Sequence, residues 1–353
     1  MLDTSLHPGL EAIADRCELV HVTKADDPDA WHALRGKGIG SSDAGAILGL
    51  SPYAGPIEVW GEKRGYLPPK DLSQNNAVWF GTEMEDVIAR WYSERTGFQV
   101  INPGCTFVLR SNPVLRTNPD RLAIAADGSL GLIEIKTADA RLSDDWVDGE
   151  LAPPWYQAQV AQQRAVLGPS IDWQAIVCLI GGNRPVVVPV DLTSEFVDAV
   201  AAHLIDWWNA FVVADVRPPV DAEQHTSDAL RDLYPDAGTV LAADQDVLDL
   251  TVRYAHAHEA AKAAEARKRL IGNQLRAALG TNSYAAYNGV KIASWKEHSV
   301  DRFDADEHAH QQPDCHRTYR HAGSSRPLLI SRSQDAVAMR ERRALDLTEG
   351  VQA

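Results

Sequence analysis

Between Asn118 and Lys136 the chain places two carboxylates and an amine where one hairpin could gather them. Asp120 ends Asn118-Pro119-Asp120, and Glu134 and Lys136 lie in Leu132-Ile133-Glu134-Ile135-Lys136, with a turn signal at Asp127-Gly128 between the two segments. Strand alternation sets Glu134 and Lys136 on one face and Ile133 and Ile135 on the other. Mg²⁺ prefers oxygen ligands, keeps several waters and is commonly held by one or two carboxylates plus substrate phosphate. Asp120, Glu134 and the backbone carbonyl of Ile135 could supply such a shell. The metal would acidify a water and neutralise charge on a phosphate, while Lys136 oriented or deprotonated that water, its pKa lowered by the nearby cation. The alternative is a solvated Glu–Lys pair on a surface hairpin, which is a weak feature. Register separates the two. A two-residue turn pairs Ala126 with Ser129 and turns Asp120 away from Glu134, so a site requires an odd-length loop or a bulge between Ala125 and Leu130.

Other segments must hold this hairpin and bring substrate to it. The run from Arg35 to Asp43 is glycine-rich and leads into a helix suggested by Ala46-Ile47-Leu48. Ser41 or Ser42 could cap that helix, and a phosphate could sit at its start beside Arg35; an ordinary capped helix is the alternative. From Ala77 to Gly97 the apolar spacing of Met84, Val87, Ile88, Trp91 and Tyr92 predicts a helix on a sheet. Glu85 falls at the edge of its buried stripe and needs a partner or a metal. Trp155 to Leu167 predicts another helix, with Tyr156, Gln159 and Gln163 on one face, suited to the rim of a metal site or to a solvated stripe.

Composition narrows the class. The chain has 353 residues, a formal charge of −15 and four cysteines without a C-x-x-C spacing, so neither a disulfide framework nor a cysteine-ligated cluster is indicated. The acidic balance argues against a general nucleic-acid coat but allows a local basic groove. No basic-then-apolar leader and no apolar run long enough to span a bilayer is apparent, which predicts a cytoplasmic protein with no membrane partner. His308, His310, Cys315, His316 and His321 cluster without the spacing of a standard zinc site.

Taken in order, Gly38-Ile39-Gly40-Ser41-Ser42-Asp43, Gly81-Thr82-Glu83-Met84-Glu85, Asn118-Pro119-Asp120 with Glu134-Ile135-Lys136, and Tyr156-Gln157-Ala158-Gln159 resemble the YqaJ-type viral recombinases. These are the lambda-exonuclease branch of the PD-(D/E)xK nuclease superfamily, and the likeness covers roughly residues 30 to 215. It implies an α/β fold with a restriction-endonuclease-like core, a central mixed β-sheet flanked by helices, and a helical C-terminal extension. It also implies Glu85, Asp120, Glu134, Lys136 and Gln159 as catalytic groups, Asp120, Glu134 and Ile135 as Mg²⁺ ligands (Mn²⁺ substituting), and Arg35, Ser41 and Ser42 around a 5′-phosphate. Two positions depart from the pattern: Ala161 stands where many members carry a second glutamine, and Phe80 where an arginine often precedes Gly81. The implied activity is 5′→3′ exonuclease action on double-stranded DNA ends in a phage-type recombination system, leaving 3′ single strands for an annealing or recombinase protein. A homo-trimer around DNA is implied as well, in the host cytoplasm if phage-encoded. A structure-specific endonuclease or nickase and a non-catalytic DNA-end-binding module are the alternatives. The predicted organisation is a nuclease domain at 1–222, a linker at 223–244, a long helix and hairpin at 245–300, and a tail at 301–353.

Overall fold

The strand that carries Glu134 is the middle one of a five-stranded sheet. A computed structural model describes residues 2–22, 27–141, 146, 151–297, 299, 304–319, 329 and 333–349. The chain divides into two units, Met1–Pro235 and Asp236–Ala353. The first unit opens with α1 (Pro8–Arg16), β1 (Cys17–Val20), α2 (Pro28–Gly36), α3 (Ser41–Ile47), α4 (Pro56–Arg64) and α5 (Asn76–Thr96). Four strands follow, β2 (Gln99–Ile101), β3 (Thr106–Leu109), β4 (Arg116–Thr117) and β5 (Arg121–Ile124), and then the central β6 (Leu130–Ala138). The unit closes with α6 (Pro154–Leu167), β7 (Trp173–Ile180), β8 (Arg184–Pro189), α7 (Ser194–Trp207) and α8 (Gln224–Leu233).

The sheet runs β2-β5-β6-β7-β8 and is mixed: β6 and β7 are parallel, and every other pair is antiparallel. A parallel pair needs a long crossover, and α6 supplies it, which is why Gln159 and Gln163 return over β6. The helix begins on Pro154, where a missing N–H costs nothing. On the opposite face lies α5. Its Ile88, Ala89 and Tyr92 pack on Ala123, Ile133, Ile135 and Val177, so the isoleucines flanking Glu134 are buried, each contributing about 1.5–3 kcal/mol. Asn75 caps α5 by accepting from Ala77 N at 3.0 Å, and Gly97 ends it at φ +73°, a conformation that favours glycine. The other face packs Leu122, Leu130 and Leu132 against Val160, Ala161 and Val166 of α6 in the main core. A separate antiparallel sheet, β1-β3-β4, stands beside it.

The mixed α/β architecture expected from the sequence is therefore present: a central mixed sheet between helices, with a helical C-terminal region. One local expectation is corrected. Residues 224–233, inside the stretch read as linker, form α8, whose Ala229 is buried with Ile57 and Leu67. Ser194–Val213 has a mean hydropathy of 1.2 and is long and apolar enough to cross a membrane by those measures alone; its Val197, Val200, Leu204 and Trp207 are instead buried in the unit.

The second unit holds α9 (Gln245–Leu279), a hairpin of β9 (Tyr284–Tyr287) and β10 (Val290–Ser294), and the helices α10 (Ala305–Gln311), α11 (Pro313–Tyr319) and α12 (Gln334–Glu349). Asn288 and Gly289 turn the hairpin with φ of 51° and 81°, as an Asn-Gly turn requires. Arg343 of α12 holds Asp249 of α9 in a two-pronged ion pair.

Candidate active site

The register needed to join Asp120 to Glu134 is the one the chain adopts. Arg121 pairs with Ile133 and Ile124 with Leu130. Ala125 N donates to Ser129 O at 2.9 Å, leaving Ala126-Asp127-Gly128 as a three-residue loop with Gly128 at φ +85°. One step beyond Arg121, this register sets Asp120 opposite Glu134, on the same face. Asp120 has left the backbone ladder, and its Oδ2 accepts from Ile135 N at 2.7 Å. In an antiparallel ladder a residue presents its N–H and C=O to the same neighbour, so the Ile135 carbonyl faces the end of β5 as well.

Glu134 is 1% exposed and takes three donors. Lys136 Nζ and Gln159 Nε2 share its Oε1, and Gln163 Nε2 donates to Oε2 at 2.7 Å. Gln159 and Gln163 thus hold the carboxylate from successive turns of α6. Ala161, where many of the resembled sequences carry a second glutamine, is buried in the core. The signal for Gln163 was its i+4 spacing from Gln159. Glu85 of α5 is half-buried, and burial pushes its carboxyl up, with Arg121 opposing and Glu134 adding to the shift. Arg121 had no reading from the sequence. It is buried, pairs with Asp86 and donates to the Asp120 carbonyl, placing a cation beneath the carboxylates.

These groups carry an excess of negative charge. Burial and the neighbouring Glu134 hold the Asp120 carboxyl well above the ordinary range, with Lys136 opposing and Glu85 reinforcing. Burial disfavours the Lys136 ammonium, yet Glu134 and Asp120 outweigh it and raise its pKa. Among protein groups alone, that sign is opposite to the lowering expected beside a divalent cation. The donor chemistry fits a hard cation: Asp120 keeps Oδ1, Glu134 keeps one lone pair on Oε2, and the Ile135 carbonyl lies on the β5 side of the strand. Among the described residues no group of three or more His, Cys, Asp or Glu side chains could hold a metal, so a cation here would rest on two carboxylates, a carbonyl and waters, as Mg²⁺ commonly does. Of the histidine and cysteine cluster, the His316 side chain and His321 lie outside the described residues.

A cleft of about 770 Å³ runs from Lys136, Tyr156 and Gln159 to Arg35, Ser42 and Asp43. Arg35 Nη2 donates to Ser42 Oγ at 3.2 Å and to Asp43 Oδ1 at 3.0 Å, and stacks over Trp31 at 5.0 Å. The α3 cap is Gly40, whose N–H donates to Asp43 Oδ2 at 2.9 Å, so neither serine caps the helix. Ser41 also departs from its expected role: it is buried and hydrogen-bonds Thr117 Oγ1 at 3.2 Å, leaving Ser42 alone at the cleft. A lysine not singled out from the sequence completes the cluster. Lys63 of α4 is 4% exposed, with Nζ 2.6 Å from Asp43 Oδ2 and 3.0 Å from the Arg35 carbonyl. Burial opposes ionisation of Asp43, but Lys63 and Arg35 prevail and lower its pKa. Glu58 and Glu62 line the same cleft; Glu58 pairs with Lys70 at 3.4 Å, and burial, with Asp43 and Glu58 nearby, pushes Glu62 up.

Residues 30–170 match the YqaJ-like viral recombinase domain. This stretch of the chain is thus similar to that domain. It contains every side chain of the cleft and hairpin described above, Gln163 and Lys63 included. The uncharacterized protein YqaJ of Bacillus subtilis is 28% identical over 308 residues, spanning 85% of this chain and 93% of that protein. Among solved structures, the alkaline exonuclease LHK-Exo of Laribacter hongkongensis aligns over 53% of this chain and 93% of its own, at 18% identity and a TM-score of 0.43. LHK-Exo in complex with dAMP aligns over the same shares, at 19% identity and the same TM-score.

Proposed function

We propose that the YqaJ-like domain is a metal-dependent deoxyribonuclease that digests double-stranded DNA from its 5′ ends and leaves 3′ single strands. The observation that carries this reading is the single cleft joining Arg35 and Ser42 to Lys136 and Gln159. Arg35 and Ser42 would take a terminal phosphate through charge-assisted hydrogen bonds, which fixes the following phosphodiester relative to the hairpin. Asp120, Glu134 and the Ile135 carbonyl would hold Mg²⁺, with Mn²⁺ substituting. When bound, the cation supplies Lewis acidity toward the scissile phosphate and its attacking water. Lys136, ion-paired to Glu134, orients that water, and Gln159 and Gln163 keep the Glu134 carboxylate aimed. Glu85 and Arg121 set the charge on the α5 side.

The partners of this reading are double-stranded DNA ends, an annealing or recombinase protein that takes the 3′ strand, and further copies of the chain in a ring of three around DNA. The setting is a phage-type recombination system in a bacterial cytoplasm. The test is digestion of an end-labelled linear duplex beside a covalently closed circle of the same sequence, with and without Mg²⁺. Release of mononucleotides from the 5′ ends of the linear duplex alone, only with the metal, is the expected result. Cutting of the closed circle makes the protein an endonuclease or nickase, and binding of ends without product makes it an end-binding module.

A further inference from the structure

The chain carries −15 overall, yet residues 262–296 run the other way. Lys262, Arg267, Lys268, Arg269 and Arg276 on α9, with Lys291 and Lys296 at the hairpin, stand against Glu265 alone, a net charge of +6. Lys262, Arg269 and Arg276 are seven residues apart, two helical turns, so they form one stripe about 21 Å long. Its carboxylate contacts are weak: Lys262 meets Glu259 at 3.7 Å on the exposed helix surface. Arg267, Arg269, Lys291 and Lys296 have no carboxylate partner among the described residues.

The hairpin joined to this helix presents aromatic rings to solvent. Tyr287 pairs with Val290 and Ala285 with Ala293, while Trp295 N donates to Ser283 O at 2.9 Å. Alternation therefore sets Tyr287, Val290 and Trp295 on one face, with Ala285 and Ala293 between them. Tyr287 is 69% and Trp295 49% exposed, and the alanine floor separates them by about 13 Å of strand. On the other face Tyr284, 57% exposed, shares the surface with Lys291.

We infer that the second half of α9 and the β9–β10 hairpin form a binding arm for single-stranded DNA, separate from the cleft of the first unit. The cationic stripe matches a phosphate backbone in charge, and rings standing over small side chains give unpaired bases a surface on which to stack. A paired duplex hides its base faces and would use the stripe without the rings, which is why a single strand is the assigned occupant. The inference does not depend on catalysis, because binding is measured without any metal.

The experiment uses the full chain in EDTA, with a fluorescent oligodeoxythymidine and a duplex of equal length, titrated by anisotropy across a salt series. Wild type should bind the single strand, with duplex binding, to which the cleft of the first unit contributes, serving as the internal reference. The triple variant K262Q/R269Q/R276Q should flatten the slope of log affinity against log salt by about 2, the loss of three phosphate contacts on a single strand. Tyr287→Ala with Trp295→Ala should weaken single-strand binding at least tenfold and leave duplex binding unchanged, while Tyr287→Phe keeps wild-type affinity. Lys or Arg exchanges within the stripe should preserve the slope, which separates charge from misfolding. Unchanged single-strand binding in both variant sets overturns the arm, as does a wild-type protein that binds no single strand. Dissociation of a second copy of the chain by the aromatic variants, with nucleic-acid affinity intact, makes the hairpin face a protein interface and overturns it too.

Discussion

The two ends of the cleft in the first unit are built from opposite charge imbalances. At the hairpin, Asp120, Glu134 and Glu85 surround one lysine, and the carboxylate charge is in excess. At the other end, Asp43 is shared by Arg35 and Lys63, so within that ion-pair cluster two cations meet one carboxylate, while Glu58, paired with Lys70, and Glu62 line the cleft beside it. The first arrangement suits a cation and the second an anion, so a phosphodiester laid along the cleft would be met directly at the Arg35 end and through a bound cation at the hairpin end. The difference also separates rigidity from reach. The hairpin end is fixed by strand pairing and by two glutamines, whereas the Arg35 side chain, 35% exposed, reaches out from a short helix.

The comparison breaks hardest at Glu134. Glu134→Gln should lower cleavage by about 10⁴-fold, the upper range for a single catalytic group, and weaken Mg²⁺ binding. Lys136→Ala should lower cleavage to a similar extent while metal affinity stays near wild type. Calorimetric Mg²⁺ titration of both variants tells them apart, and an equal loss of affinity would make Lys136 a structural residue. At the other end, Lys63→Met removes one partner of a buried pair and should cost about 3–5 kcal/mol in urea unfolding. That cost depends on pH in a fixed direction. The folded pKa of Asp43 lies below its unfolded value, so its ion pairs stabilise the fold above the ordinary carboxylate pKa of about 3.9 and are lost as pH falls through the lowered value. The gap between wild type and Lys63→Met should therefore close in strong acid; a constant gap from neutral pH downward would contradict the shared-carboxylate account.

Much of the hairpin end was legible because strand alternation and loop parity are local rules. Requiring Asp120 and Glu134 to share a face leads directly to an odd loop, and Ala126 to Gly128 is one. The phosphate end was only half legible. Asp43 and Lys63 are twenty residues apart on different helices, and no periodicity links them before α3 and α4 pack. Ser41 and Ser42 are equivalent by composition, and only the helix rotation sends one to Thr117 and the other to the cleft. Gln163 was legible from spacing alone, because a helix repeats its face after four residues and Gln159 stands four before it.

Smaller effects sharpen the same contrast. Gln163→Ala should slow cleavage about tenfold, the lower range for a residue that supports a metal ligand, and lower stability as well, because it leaves a buried Glu134 oxygen without its donor. Asp120→Asn should abolish cleavage yet raise the stability of the metal-free protein, because it removes an ionisable group that burial and Glu134 disfavour in its charged form. Thermal unfolding in EDTA checks it, and a lower melting temperature would show that the excess negative charge is already balanced.

The central claim is that the cationic end of the cleft positions a terminal phosphate for the anionic end to cut beside it. Initial rates on matched linear duplexes with 5′-phosphate and 5′-hydroxyl ends, for wild type and Arg35→Ala, test that claim most directly. Wild type should digest the phosphorylated duplex faster, and Arg35→Ala should digest both at the slower rate. Equal wild-type rates on the two duplexes would contradict it.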